Sequence, residues 1–182
     1  MPRERRALSE FALPIKFCAL PVSELHAAAY NADIERAREL LQAGLDPNAY
    51  DESGYTPLLW AAFRGAVGDQ LPVVLLLVAA GADVNAVTQR GDASVLMLAV
   101  QTGNDAVVRT LVTCGAEVNR PADGLTPLML AVRQGDVRMV RTLIELGADT
   151  GLRAGQYTAA YYAWYGGHDE LANLLDDYDT RA

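Results

Sequence analysis

Between residues 126 and 152 the apolar positions fall into two stripes. Leu128, Leu130 and Ala131 form the first, and Gly135 interrupts it. Val137, Val140, Leu143 and Ile144 then follow at i, i+3, i+6 and i+7, which places them on one face of an α-helix. Gly147 supplies a helix stop. The pattern predicts a helix, a short turn, a second helix and an extended turn rich in Gly, Asp and Asn. The longest apolar run, VVLLLVAA at 73–80, ends at Gly81 and reads as a buried helix. It is far shorter than the roughly 18 residues that a membrane span needs.

The same pattern recurs. GYTPLLWAA at 54–62 and GLTPLMLAV at 124–132 both put Thr before Pro at the start of an apolar stripe. Thr caps a helix well and Pro suits the first helical turn. Ser23, Thr56, Ser94, Thr126 and Thr158 open five such phrases, at steps of 33, 38, 32 and 32 residues. A second marker follows four of them: AGLDPNA at 43–49, AGADVNA at 80–86, CGAEVNR at 114–120 and LGADTGL at 146–152. The long step resolves into an insertion near Gly65–Asp69 and one further residue in the 90–93 turn. A unit this short cannot bury two apolar helix faces alone, so successive units must stack.

TPL-x-x-A, the mid-repeat Gly and G-A-D-V-N, recurring together in register, make residues 20–176 similar to the ankyrin-repeat family. The resemblance implies an all-α solenoid of about five stacked helix-turn-helix units with projecting hairpin-like turns. The units fall at about 21–50, 51–87, 88–119, 120–152 and 153–176, with 1–20 as an N-terminal cap and 177–182 as a tail. The first and last units depart from the pattern, with Ser23-Glu24-Leu25-His26 and Thr158-Ala159-Ala160-Tyr161. End repeats are expected to be atypical. The N-terminus begins like a secretory signal, but Glu10, Pro14 and Lys16 interrupt it, and it reads as mature protein.

The resemblance also implies a partner protein bound along a concave face of turn tips and first helices. The positions that match this surface include Tyr30, Tyr55, Phe63, Arg64, Arg90, Arg120, Leu125, Arg133, Arg153, Tyr157 and Tyr165. Arg90, Arg120 and Arg153, near three successive turn tips, suggest a partner with acidic or carbonyl-rich groups. Trp60 falls in a core-facing slot. Trp164 replaces a small Ala; it either caps the array against the tail or anchors a partner, and capping is the favoured reading.

Composition adds limits. The chain is 51% hydrophobic and 21% charged, as globular chains are. Its net charge is −8; residues 1–22 carry +2, leaving −10 on the repeats. That disfavours nucleic acid. Most acids map to second helices, however, so the total says little about the binding face. Fourteen of the fifteen basic residues are Arg, which hints at a GC-rich bacterial gene. Cys18 and Cys114 form no framework and read as free, mostly buried thiols of a reducing, cytoplasmic protein.

No constellation suggests catalysis or a cofactor. His26 sits where similar proteins bond the neighbouring turn, and His168 lies far along the array. Ser94 lacks a nucleophile elbow and Cys114 lacks a nearby His. Asn48, Asn85 and Asn119 recur in the turns and read as side chains closing them. The sequence therefore points to a non-catalytic, monomeric protein-binding module that touches neither membrane nor nucleic acid. The alternative is a bacterial immunity protein or antitoxin that occludes a toxin or enzyme.

Overall fold

The computed structural model describes residues 23–64 and 69–179. The expected cap at 1–20, most of the insertion near Gly65–Asp69 and the end of the tail lie outside the described residues.

Five helix pairs follow one another: α1 (Glu24–Tyr30) with α2 (Ile34–Gln42), α3 (Pro57–Phe63) with α4 (Leu71–Ala79), α5 (Val95–Gln101) with α6 (Asp105–Thr113), α7 (Pro127–Gln134) with α8 (Val137–Glu145), and α9 (Ala159–Gly166) with α10 (Asp169–Asp179). The recurring Ser or Thr is the N-cap of every first helix. Thr56, Ser94, Thr126 and Thr158 each accept from the backbone N–H three residues on. Ser23 is the exception, because its hydroxyl is bonded to the His26 ring instead. Asp33, Asn104 and Asp136 cap second helices in the same way.

The turn inside the first, third, fourth and fifth pairs holds a left-handed residue. Gly103 and Gly135 fill that position with φ 71° and 70°. In the first repeat the position is Ala32, held at φ 55°. A Cβ in this region costs about 1 kcal/mol or more. Ala32→Gly should therefore stabilise the protein by up to about 1 kcal/mol, read as a raised urea midpoint. A lowered midpoint would show that the methyl group's packing outweighs the strain.

First helices pack on first helices in order, and second helices on second helices. The first-helix layer, here the inner one, is packed more extensively than the second. Its backbones approach closely through Ala61, Ala99, Ala131 and Ala163, all fully buried. The second-helix layer is looser, and α4 shows the result. It is apolar all round, yet it is not the buried helix its composition suggests: Val73, Val74 and Leu77 are buried while Leu75 is 47% exposed. A second helix keeps one side in solvent whatever residues it carries. For the same reason Cys114, the C-cap of α6, is exposed rather than buried.

Between pairs the chain forms short hairpins. β1 (Arg153–Ala154) pairs antiparallel with β2 (Tyr157–Thr158), and single bridges join Val87 to Ser94 and Ala122 to Leu125. These tips stand beside the starts of the first helices, so tips and inner helices make one continuous surface.

Candidate partner-binding face

The turns are tied to one another by asparagine. Asn48 Nδ2 donates to the Gly81 carbonyl (2.9 Å), and its Oδ1 accepts from the Asp83 N–H (2.8 Å). Asn85 makes the same pair with Gly115 and Glu117 (3.1 and 2.8 Å), and Asn119 with Gly147 and Asp149 (3.2 and 2.9 Å). These side chains do not close their own turns, as the sequence suggested; each clamps the backbone of the following one. The reason is geometric, because the amide presents a donor and an acceptor side by side and the neighbouring turn offers the matching pair.

In the first repeat His26, buried within α1, donates from Nε2 to the Ala49 carbonyl at 2.9 Å and accepts from the Ser23 hydroxyl at Nδ1. A carbonyl can only accept, so Nε2 carries the hydrogen of that bond. The histidine is a strut between α1 and the next turn, and both of its nitrogens are used.

The expected contact residues divide into two groups. Arg90 and Arg153 are exposed, while Tyr30, Phe63, Arg64, Arg120, Arg133, Tyr157 and Tyr165 are half-buried. Tyr55 and Leu125, by contrast, are buried and belong to the core. Leu125 turns inward because its backbone is bridged to Ala122 across a tight hairpin. Tyr55 stacks on Trp60 at 4.7 Å.

Trp60 organises the inner surface of the first two repeats. It is 3% exposed and donates from Nε1 to Asp51 Oδ2 at 2.7 Å. Tyr30 and Phe63 meet its ring edge-to-face at 5.5 and 5.9 Å. The Arg64 guanidinium lies 4.3 Å from the centre of the Tyr30 ring, a cation–π contact. Arg64 is the C-cap of α3, so the helix end places this charge on the inner surface.

The three turn-tip arginines differ from one another. Arg120 approaches Glu117 of its own turn at 3.9 Å, and Arg153 reaches the Gln156 carbonyl of its own hairpin at 3.4 Å. Arg90 has no ion pair among the described residues. Near the last repeat, burial pushes the Tyr162 hydroxyl pKa above its ordinary value; the Arg133 charge opposes that rise and Tyr157 adds to it. Arg133 is thus close enough to the α9 aromatics to extend the inner surface towards them.

On the outer layer an open groove of about 490 Å³ runs between α6 and α8. Its charges are spent on one another. Arg109 bonds Asp105 (3.0 Å) and Glu145 (2.8 Å), and Asp105 also accepts from the Thr142 hydroxyl. Burial pushes the Asp105 pKa up, but the hydrogen bonds from Thr142 and Arg109 outweigh it, with help from the Arg109 and Arg138 charges. The carboxyl is held below its usual range. A depressed folded-state pKa stabilises the protein above the unfolded value of about 4. That contribution disappears as pH falls through the folded value. Asp105→Asn should therefore lower the melting temperature at pH 7 and match wild type at strongly acidic pH. A difference independent of pH would remove the charge from the account. Among the described residues no group of His, Cys, Asp and Glu could hold a metal ion.

Stacked helix pairs with hairpin tips and side-chain clamps between neighbours define a solenoid repeat protein, whose core is continuous only through stacking. Family models for ankyrin repeats match residues 25–69 (many copies), 53–89 (a single repeat) and 96–181 (three copies). The chain belongs to the ankyrin-repeat family. Ankyrin repeats are generally protein–protein interaction modules and typically non-catalytic. No helix of the described residues is long and apolar enough to cross a membrane.

Proposed function

We propose that this chain is a non-catalytic binding protein that holds a partner protein against the inner face formed by its first helices and hairpin tips. The observation that supports this most directly is the surface of Tyr30, Phe63 and Arg64. Two half-buried aromatic rings are fixed by Trp60 beneath them, and Tyr30 in turn holds the half-buried Arg64 guanidinium. Aromatic and Arg side chains held rigid before binding are what interface hot spots are made of. Arg90, Arg120, Arg133 and Arg153 continue the surface along the array and suit a partner with carboxylate or carbonyl groups. A monomeric, cytoplasmic protein agrees with this reading. Occlusion of a toxin or enzyme, as a bacterial immunity protein would do, is its narrower form.

The test replaces Arg90, Arg120 and Arg153 together by Ala and compares partner capture from the native cell with that of wild type. Each such contact is worth about 0.2–1 kcal/mol, so capture should fall between about threefold and a hundredfold with the melting temperature little changed. Equal capture by a folded variant would take the arginine row out of the interface.

A further inference from the structure

The outer side of the last repeat differs from every other repeat junction. Inside the array, the sixth residue after the cap of a first helix is small and covered by the next repeat. Ala62, Val100 and Val132 occupy it with 0, 1 and 0% exposure. Its counterpart in α9 is Trp164, which is 69% exposed. No capping against the described part of the tail occurs. An indole is much larger than the Ala or Val that fills this slot elsewhere. Tyr161 supports it, with ring centres 6.1 Å apart, and is itself stacked on Tyr157 at 4.3 Å and Tyr165 at 6.1 Å.

The charges at this place indicate an occupant. Asp105 and Asp169 are the first residues of α6 and α10. Asp105 is bonded by Arg109 of its own helix at 3.0 Å and approached by Arg138 of the following repeat at 3.9 Å. Arg141 reaches the other way, to Glu170 of the repeat after its own at 4.0 Å. Asp169 stands at the same helical position with no ion pair among the described residues. Helices α9 and α10 contain no Lys or Arg, while α10 carries Asp169, Glu170 and Asp176 exposed. Among the described residues the Asp169 carboxylate lacks the guanidinium that Asp105 receives. The Arg64–Tyr30 contact shows that an arginine also sits well on an aromatic face in this protein.

We propose that Trp164, Tyr161 and Asp169 form a second docking surface on the last repeat, distinct from the Tyr30, Phe63 and Arg64 patch of the first two repeats, which takes an arginine-bearing segment of a partner protein. The guanidinium lies over the Trp164 ring and pairs with the Asp169 carboxylate. Lysine fits less well, since it is a more strongly hydrated point charge without a planar face.

Trp164 provides the readout, because the only other tryptophan, Trp60, is buried. The full chain is titrated with a blocked Gly-Arg-Gly-Arg-Gly peptide, followed by fluorescence and calorimetry. Matched peptides carry Lys, or citrulline, which keeps the shape and loses the charge. The arginine peptide should change the emission, bind more tightly than the lysine peptide and leave the citrulline peptide inactive. Trp164→Ala keeps the net charge and should weaken calorimetric binding about tenfold; Asp169→Asn should weaken it severalfold. Both sites are exposed, and unchanged melting curves confirm the fold of each variant. Equal binding by Trp164→Ala, equal binding of citrulline, or no binding overturns the proposal. So does a dimer that Trp164→Ala dissociates, which would assign the face to a second copy. These variants leave Tyr30, Phe63, Arg64, Arg90 and Arg120 in place, so either reading can fail alone.

Discussion

Trp60→Ala should lower the unfolding free energy by about 4 kcal/mol. The indole is buried, is packed against Tyr30, Tyr55 and Phe63, and satisfies one Asp51 oxygen. Truncation removes the ring contacts and leaves a cavity under the inner surface. Asp51 keeps the Ser53 and Tyr55 N–H groups as donors but loses the indole. Trp60→Leu is the informative partner variant. Leu98 and Leu130 hold the corresponding slots in later repeats, both buried. Leucine should restore about half of the loss, because it refills the core and leaves Asp51 one donor short. Denaturant unfolding measures both, and a loss below about 1 kcal/mol for alanine would show that the rings lie on the surface without building it. If the inner face binds the partner as proposed, Trp60→Ala should also abolish capture, since Tyr30 and Phe63 lose their support.

Gly135→Val is expected to cost about 3 kcal/mol through two separate terms. The residue ends α7 at φ 70°, where a β-branched side chain is an outlier. Its Cβ would also come within 2.7 Å of the His168 ring in the next repeat. Gly103 separates the terms: its φ is 71°, but an added Cβ there would have only Asp136 Oδ2 nearby, at 3.9 Å. Gly103→Ala should therefore cost about 1 kcal/mol, and Gly135→Ala distinctly more. Because each repeat is stabilised by its neighbours, Gly135→Val should raise hydrogen exchange in α9 and α10 as well as α7. Protection lost only within α7 would mean the junction to the last repeat is weak. Equal costs for the two alanine variants would remove His168 from the argument.

Much of this fold was legible because its determinants are local. The recurring Ser and Thr could be read as caps from their place before an apolar stripe, and four of the five are bonded that way. Trp60 could be placed in the core because leucines occupy the corresponding position of other repeats. Side chains whose roles depend on the neighbouring repeat were less legible. The asparagines carry turn chemistry in their type, but nothing in a single unit shows that the turn they serve is the next one. Leu125 and Tyr55 sit at positions that match a binding surface, and only the closure of the hairpin and the stacking on Trp60 turn them inward. Exposure in the outer layer was misread for α4 and Cys114 for a related reason. Hydrophobicity describes the residue, whereas burial depends on which layer its helix joins. Trp164 was recognisably out of pattern, but its sequence position alone did not say whether the tail covers it.

The asparagine clamps all run in one direction. Asn48, Asn85 and Asn119 lie earlier in the chain than the turns they grip. During synthesis the ribosome delivers the gripping amide first and the backbone it will hold roughly one repeat later. Each completed unit thus leaves the exit tunnel with half of its next joint already made. The newest stretch of chain can dock on it without waiting for anything downstream. Assembly from the N-terminus follows the order of translation, and a nascent chain paused between repeats has a finished template at its growing end.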